Sequence, residues 1–431
     1  MTNAIGFDPG LDGARELDAQ DPLAGFRDKF HIPAMADGAP EIYLCGHSLG
    51  LQPKTVADAV TAELDRWGRL GVKGHFEGDL PWAPYHEFLA ADMAELVGGG
   101  PGEIVTMNSL TANLHLMMVS FYRPTRDRHK ILIEDHAFPS DRYAVESQIR
   151  FHGHDPATSL RPIAPRDGEA LIRGEDIQDI LEREGESIAL VMLPGVQYYT
   201  GQVFDMAEIT RLAHAKGCMV GFDLAHAIGN IPLRLHDWYA DFAVWCTYKY
   251  LNSGPGSVGG CFVHARHGSD TALPRFAGWW GHDKASRFAM GPDFKPIPGA
   301  EGWQLSNPPI LSLAAIRASL DVFRSAGYMT PLRDKSRRLT GYLEWLLTET
   351  LGESIALITP RDPDARGCQL SLTVRGGSFS GRELFEHLEA RAVAGDWREP
   401  NVIRVAPVPL YNRFEDCYRF VEIIRDFIAS R

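Results

Sequence analysis

MVGFDLAHAIGN at residues 219–230 and, after a polar insert, DFAVWCTYKYLNSGPGSVG at residues 241–259 form the stretch from which the fold follows. Residues 219–222 are a short apolar run that stops at Asp223. Residues 241–246 are a second such run, and it stops at Thr247, Tyr248 and Lys249. As buried strands, the two deliver an acid and a lysine to their C-terminal ends, the edge at which open α/β sheets place ligands. The turn Asn252-Ser-Gly-Pro-Gly256 that follows cannot continue as a helix.

A lysine ending an apolar strand needs compensation, because burying an ammonium is costly. A Schiff base with an aldehyde cofactor is one compensation. Pyridoxal phosphate also requires a carboxylate beside its ring nitrogen, and Asp223 suits that role. An opposite charge nearby keeps the ring protonated and able to accept electrons. Spacing alone fits a surface lysine between core strands equally well.

The order Asp223-x-x-His226, then Tyr248-Lys249, resembles the fold-type-I family of pyridoxal phosphate (PLP) enzymes. GFDLAHAIGN (221–230), LHDW (235–238), TYKYLN (247–252), GWWGH (278–282), SNPP (306–309) and RVAPVPLYN (404–412) together resemble kynureninase over nearly the whole chain. The resemblance implies an α/β, fold-type-I PLP-dependent transferase-like fold. A large domain with a mainly parallel seven-stranded sheet would precede a smaller C-terminal α/β domain. It implies hydrolytic Cβ–Cγ cleavage of L-kynurenine, and of 3-hydroxy-L-kynurenine, to anthranilate or its 3-hydroxy form and L-alanine, in tryptophan breakdown.

The resemblance also assigns residues. Pyridoxal 5'-phosphate would be held by Lys249, with Asp223 at its ring. Tyr248 would bond the phosphate and relay a proton, and His226 would support Asp223 or the phosphate end. Leu110 and Thr111 would hold the phosphate, Phe138 would stack on the ring, and Ser140 and Asp141 would add polar contacts. Trp279 and Asn307 would reach the cofactor phosphate or the substrate from the neighbouring subunit of a homodimer with shared active sites. Arg404 would hold the substrate α-carboxylate, for which its planar fork is suited. Ser48 would lie near the substrate.

The residues themselves leave several of these readings open. Residues 103–106 read as a strand entering a helix whose first turn carries Ser109 and Thr111. A helix N-terminus binds phosphate, but Ser and Thr are also ordinary N-caps. KILIE (130–134) is a strand, and Phe138-Pro-Ser-Asp141 opens the next helix. Asp141 is equally a first-turn acid favoured by the helix dipole. The loop at residues 71–84 is dense in Gly, Pro and aromatics. His75 and Trp82 there are candidates to touch an aromatic substrate, and ordinary loop packing explains them as well.

Alternating strands and helices over residues 103–263 indicate a doubly wound, mainly parallel sheet. By resemblance, the strand at 259–264 runs antiparallel within it. Residues 153–185 read as a surface excursion carrying one acidic helix at 174–184. Beyond residue 310, long helices lead to a smaller unit with strands at 369–374 and 402–405. The expected division is an N-terminal arm at 1–53, a PLP-binding domain at 54–312 and a small domain at 313–431. Residues 1–40 read as irregular and acidic.

GHSLG at 46–50 matches the serine hydrolase elbow, which requires a helix to start at once after the serine. Leu51-Gln-Pro53 follows instead. A serine hydrolase using Ser48 remains one alternative. Another fold-type-I enzyme is a second, either an aminotransferase or a desulfurase, which would need a mobile cysteine. A silent PLP-binding protein is the third.

The 431 residues are 45% hydrophobic and 23% charged, with a formal charge of −13. That balance, without a basic stripe, argues against nucleic acid as a partner. No run approaches the roughly 20 apolar residues that span a bilayer, so no membrane is expected. The six cysteines form no CxxC pair and read as reduced thiols of a cytoplasmic protein. His152-Gly-His154 is too small a set to define a metal site, and no metal is expected.

Overall fold

The computed structural model describes residues 7–376 and 378–431. The chain forms two compact units. One comprises Met1–Lys54, Tyr198–Val203 and Val322–Arg431; the other comprises Thr55–Gln197 and Phe204–Asp321. The division falls inside the helix Ile310–Ser325.

In chain order the first strands are β1 (Ile42–Tyr43), β2 (Ile104–Thr106), β3 (Lys130–Glu134), β4 (Leu160–Ile163) and β5 (Ile188–Pro194). Then come β6 (Met219–Asp223), β7 (Phe242–Trp245), β8 (Gly260–Val263) and β9 (Ile355–Leu357). The last are β10 (Leu370–Val374), β11 (Val393–Ala394), β12 (Asp396–Arg398) and β13 (Val402–Val405).

The larger unit holds a seven-stranded sheet of order β2-β8-β7-β6-β5-β3-β4. Strands β4, β3, β5, β6 and β7 are parallel, and β8 is antiparallel to both of its neighbours. Strand β7 is buried throughout, as a parallel strand covered on both faces must be. Helices Leu110–Phe121, Pro139–Phe151 and Met206–His214 supply the covering layers. Phe121 stacks on Phe242 at 5.1 Å inside the core.

The expectation for residues 153–185 needs correction. The acidic helix Gly174–Glu184 is present, but β4 inside this segment is the sheet's last strand, paired with β3. It reads LRPI and is mostly half-exposed. Arg161 and Pro162 hide its strand character, and an edge is where a strand tolerates proline.

The smaller unit carries a four-stranded antiparallel sheet of order β12-β13-β10-β9. Helices Met329–Leu351, Gly381–Ala390 and Phe414–Ala429 belong to it. Leu339, Leu343, Leu370, Phe414 and Ile424 are among its fully buried core residues. The N-terminal arm is not irregular. Leu11–Ala19 is a helix that buries Ala14 in this core. Asp18 at its end accepts from the amides of Phe414 and Glu415 at 2.7 and 3.0 Å, which caps the C-terminal helix.

Candidate active site

Strand β7 ends in a closed turn. Thr247 Oγ1 donates to the Val258 carbonyl at 2.6 Å, and Ser253 Oγ donates to Thr247 Oγ1 at 2.6 Å. Asn252 turns the chain in a left-handed conformation, φ +53°, which asparagine tolerates. The turn leaves Lys249 half-buried, with its Nζ 2.9 Å from His226 Nε2 and 5.8 Å from the centre of the Phe138 ring. With Nε2 unprotonated, it accepts from the lysine and the imidazole proton sits on Nδ1. The histidine expected beside Asp223 or the phosphate thus meets the lysine amine.

Three buried carboxyls gather at the same sheet edge. Asp223 ends β6 and accepts from the Ala225 amide at 2.6 Å. Asp141 is held well above the usual carboxylate range, by burial first and by Asp223 next, with which it shares a hydrogen bond. Burial pushes Glu134, at the end of β3, up to about 8, against a hydrogen bond from Gln197 and with a further push from Asp223. Near neutral pH the cluster therefore carries fewer charges than carboxyls, and Asp141 donates to Asp223. Glu134 was missed from sequence. Its signal was the one that marked Asp223, an acid ending an apolar strand.

Two helix N-termini converge beside this cluster. Ser109 and Phe138 hold the N-cap positions of Leu110–Phe121 and Pro139–Phe151, and neither side chain caps its helix. Ser109 is thus not a plain N-cap. Thr111 Oγ1 and Ser140 Oγ, from the two first turns, lie 3.0 Å apart. Amides left without side-chain caps, two hydroxyls and two positive dipole ends suit a phosphate. The Tyr248 phenol is held above its ordinary value by burial first and then by Cys246, so it stays a donor at neutral pH.

PLP fits this donor set. Lys249 suits its aldehyde, and the helix ends suit its phosphate. The Phe138 ring, 40% exposed, offers a face for stacking. Asp223, with Asp141 behind it, offers the carboxylate that a ring nitrogen requires.

The other expected residues have contacts of their own. Trp279 is 41% exposed and donates from Nε1 to the Arg287 carbonyl at 3.1 Å. Asn307 is exposed. His75 packs edge-on against Trp82 at 5.4 Å. Ser48 and Arg404 belong to the smaller unit. Ser48 follows a two-residue strand and sits in a turn that no helix continues, so the hydrolase elbow is not formed. Its hydroxyl bonds the Cys45 thiol. Arg404 is 1% exposed and donates to the Tyr198 carbonyl at 2.6 Å.

Among the described residues, two further clusters gather metal-ligand atoms, Glu103 with His236 and His264, and His86 with Glu87 and Glu301. In the first, Glu103 accepts from His236 and from the amides of Gly100 and Ala265, and the two imidazoles stack face to face at 5.0 Å. In the second, Lys284 bridges both acids. Both are explained as ties between segments. His152 and His154 face different partners, Tyr122 and His129.

Residues 332–424 match the family model described as the kynureninase C-terminal domain. A protein from Koribacter versatilis named kynureninase is 58% identical over 419 residues, covering 97% of this chain and 98% of that one. Its namesake from Myxococcus xanthus is 56% identical over 424 residues, covering 98% and 99%. Among solved structures, a C-DES mutant with glycine covalently linked to the PLP cofactor aligns with a TM-score of 0.75 at 17% identity, covering 92% of this chain and 98% of that one. The cysteine desulfurase CsdA from Escherichia coli gives 0.72 at 17%, covering 95% and 98%. At such identity the likeness is one of fold.

Proposed function

The chain belongs to the kynureninase family, and from that membership we propose how its residues divide the work. The reaction is hydrolytic Cβ–Cγ cleavage of L-kynurenine to anthranilate and L-alanine, with pyridoxal 5'-phosphate as cofactor. When bound, the cofactor supplies an electron sink for the substrate's α-carbon. Lys249 supplies the amine that meets the cofactor aldehyde and serves as the base at Cα. Asp223, backed by Asp141 and Glu134, holds the ring nitrogen protonated. Leu110, Thr111, Ser140 and Tyr248 hold the phosphate, and Phe138 covers the ring. Arg404 binds the substrate α-carboxylate. Ser48, His75 and Asn307 contact the remainder of the substrate, including the 3-hydroxyl of 3-hydroxykynurenine.

The observation that carries this reading is the placement of Lys249 against His226 at the sheet edge that also holds Asp223 and Asp141. Purified protein with pyridoxal phosphate and kynurenine should yield fluorescent anthranilate. Lys249→Ala should abolish it, and an active Lys249→Ala protein contradicts the assignment.

The reading extends to a homodimer in the cytoplasm. Exposed Trp279 and Phe288 meet edge-on at 5.5 Å, and Phe288 meets exposed Phe76 at 5.8 Å. Such a group of apolar rings on a surface suits a protein partner. No disulfide links the six cysteines, as in a reducing compartment. Among the described residues no helix is long and apolar enough to cross a membrane. Mixing Lys249→Ala with Trp279→Ala protein tests the shared site. Mixed dimers regain activity if Trp279 acts on the partner's site.

A further inference from the structure

Arg404 does not stand alone in its strand. Asp396 on β12 is its register partner on β13, and the two side chains form an ion pair. The same Asp396 oxygen lies 3.0 Å from Arg398 Nη2 and 3.5 Å from Nε2 of the fully buried His47. Arg404 also donates to the Tyr198 carbonyl, to which Gln369 Nε2 donates as well, at 3.0 Å. Every one of these residues belongs to the smaller unit.

We infer that Asp396 is a positioning residue that fixes the plane and the charge of Arg404 for a substrate carboxylate. The inference rests on the proposed role of Arg404. A guanidinium has five N–H donors in a rigid fork. Tyr198 engages Nη1 and Asp396 engages Nη2, which together set the plane in which the remaining donors lie. Bidentate recognition of a carboxylate depends on that plane. Charge points the same way. One carboxylate faces two guanidiniums, so these three side chains together carry one net positive charge, which a monoanionic carboxylate neutralises. A buried arginine stripped of its counter-charge would turn toward other acceptors, because leaving it unpaired is strongly unfavourable.

The test uses the PLP-loaded enzyme. Asp396→Asn should raise the KM for kynurenine about tenfold with kcat nearly unchanged, the pattern of a lost binding interaction. Its kcat/KM for the decarboxylated amine of kynurenine should not change. In an Arg404→Lys background, Asp396→Asn should add less than about twofold, because the two residues act as one unit. If Asp396→Asn folds poorly, Asp396→Glu keeps the charge but displaces it by one methylene, and KM must rise there too. An unchanged or lower KM in the folded Asp396 variant overturns the inference. So does an equal loss with the decarboxylated amine. If Arg404→Lys alone leaves KM unchanged, the role of Arg404 is what fails.

Discussion

His226 Nε2 and Lys249 Nζ lie 2.9 Å apart, across the mouth of the turn that ends β7. The contact joins the two halves of the organising stretch, since His226 follows β6 as Lys249 follows β7. It orients the amine and gives its proton a place to go. His226→Phe removes that acceptor. We expect kcat to fall about 10²-fold, within the range for a positioned proton acceptor, while the visible absorbance of bound cofactor persists. Steady-state kinetics with a parallel spectrum checks this, and unchanged kcat would return His226 to the packed core.

Glu134 gives a prediction about pH. Its folded pKa of about 8 stands above its ordinary 4.5. Between those values the folded state keeps a proton that the unfolded chain has released. Stability from this group is therefore fully present below about 4.5 and falls as pH rises toward about 8. Glu134→Gln keeps the shape and removes the titration. The melting temperature of the cofactor-free variant should exceed that of the native protein by a margin that widens with pH across this window. A margin independent of pH contradicts the burial of an ionisable group here.

How much of this was legible in the sequence depends on how local the signal was. Apolar runs that stop at Glu134, Asp223 and Lys249 mark buried strand ends, because a charge cannot sit in the middle of them. Strand β4 was not legible, since an edge strand with one wet side needs no apolar run. The helix Leu11–Ala19 was hidden among acids, because only Gly13 and Ala14 of it are buried. Asp396 was beyond reach for a different reason. Its meaning lies in the register with Arg404, and register is set by pairing across the sheet. Tyr198–Val203 joins the smaller unit across a long sequence gap, which no composition shift announces.

The loop that carries His75 is anchored by a buried acid. Glu63 is 2% exposed and accepts from Trp82 Nε1 at 2.9 Å and from the Tyr85 hydroxyl at 3.1 Å. Trp82 in turn holds His75 edge-on. Glu63→Ala strands two buried donors, at ~1–3 kcal/mol each, whereas Glu63→Gln keeps an acceptor. We expect His75→Ala to change the ratio of kcat/KM between kynurenine and 3-hydroxykynurenine. Glu63→Ala should move that ratio the same way and Glu63→Gln much less. Ratios that ignore both alanine variants remove His75 from the reading of the ring hydroxyl.

Gly259 bears on the phosphate corner. Its amide donates to the Asn108 carbonyl at 2.7 Å, and its carbonyl accepts from the Met107 amide at 3.0 Å. A Cβ at this position would come 2.5 Å from the Trp245 carbonyl oxygen and 3.1 Å from the Leu110 amide nitrogen. Neither backbone atom can yield freely, because one ends the lysine strand and the other opens the helix that faces Ser140. Gly259→Ala must therefore displace this backbone, and a shift of the N-terminus of Leu110–Phe121 disturbs the pairing of the Thr111 and Ser140 hydroxyls. Equilibrium titration of the cofactor-free variant with pyridoxal phosphate should show binding weakened about tenfold or more, ~1.4 kcal/mol. Thr111→Ala, which deletes one hydroxyl and moves no backbone, should show a smaller loss. Equal losses in the two variants would mean that the hydroxyl, not the approach of the helix ends, holds the phosphate.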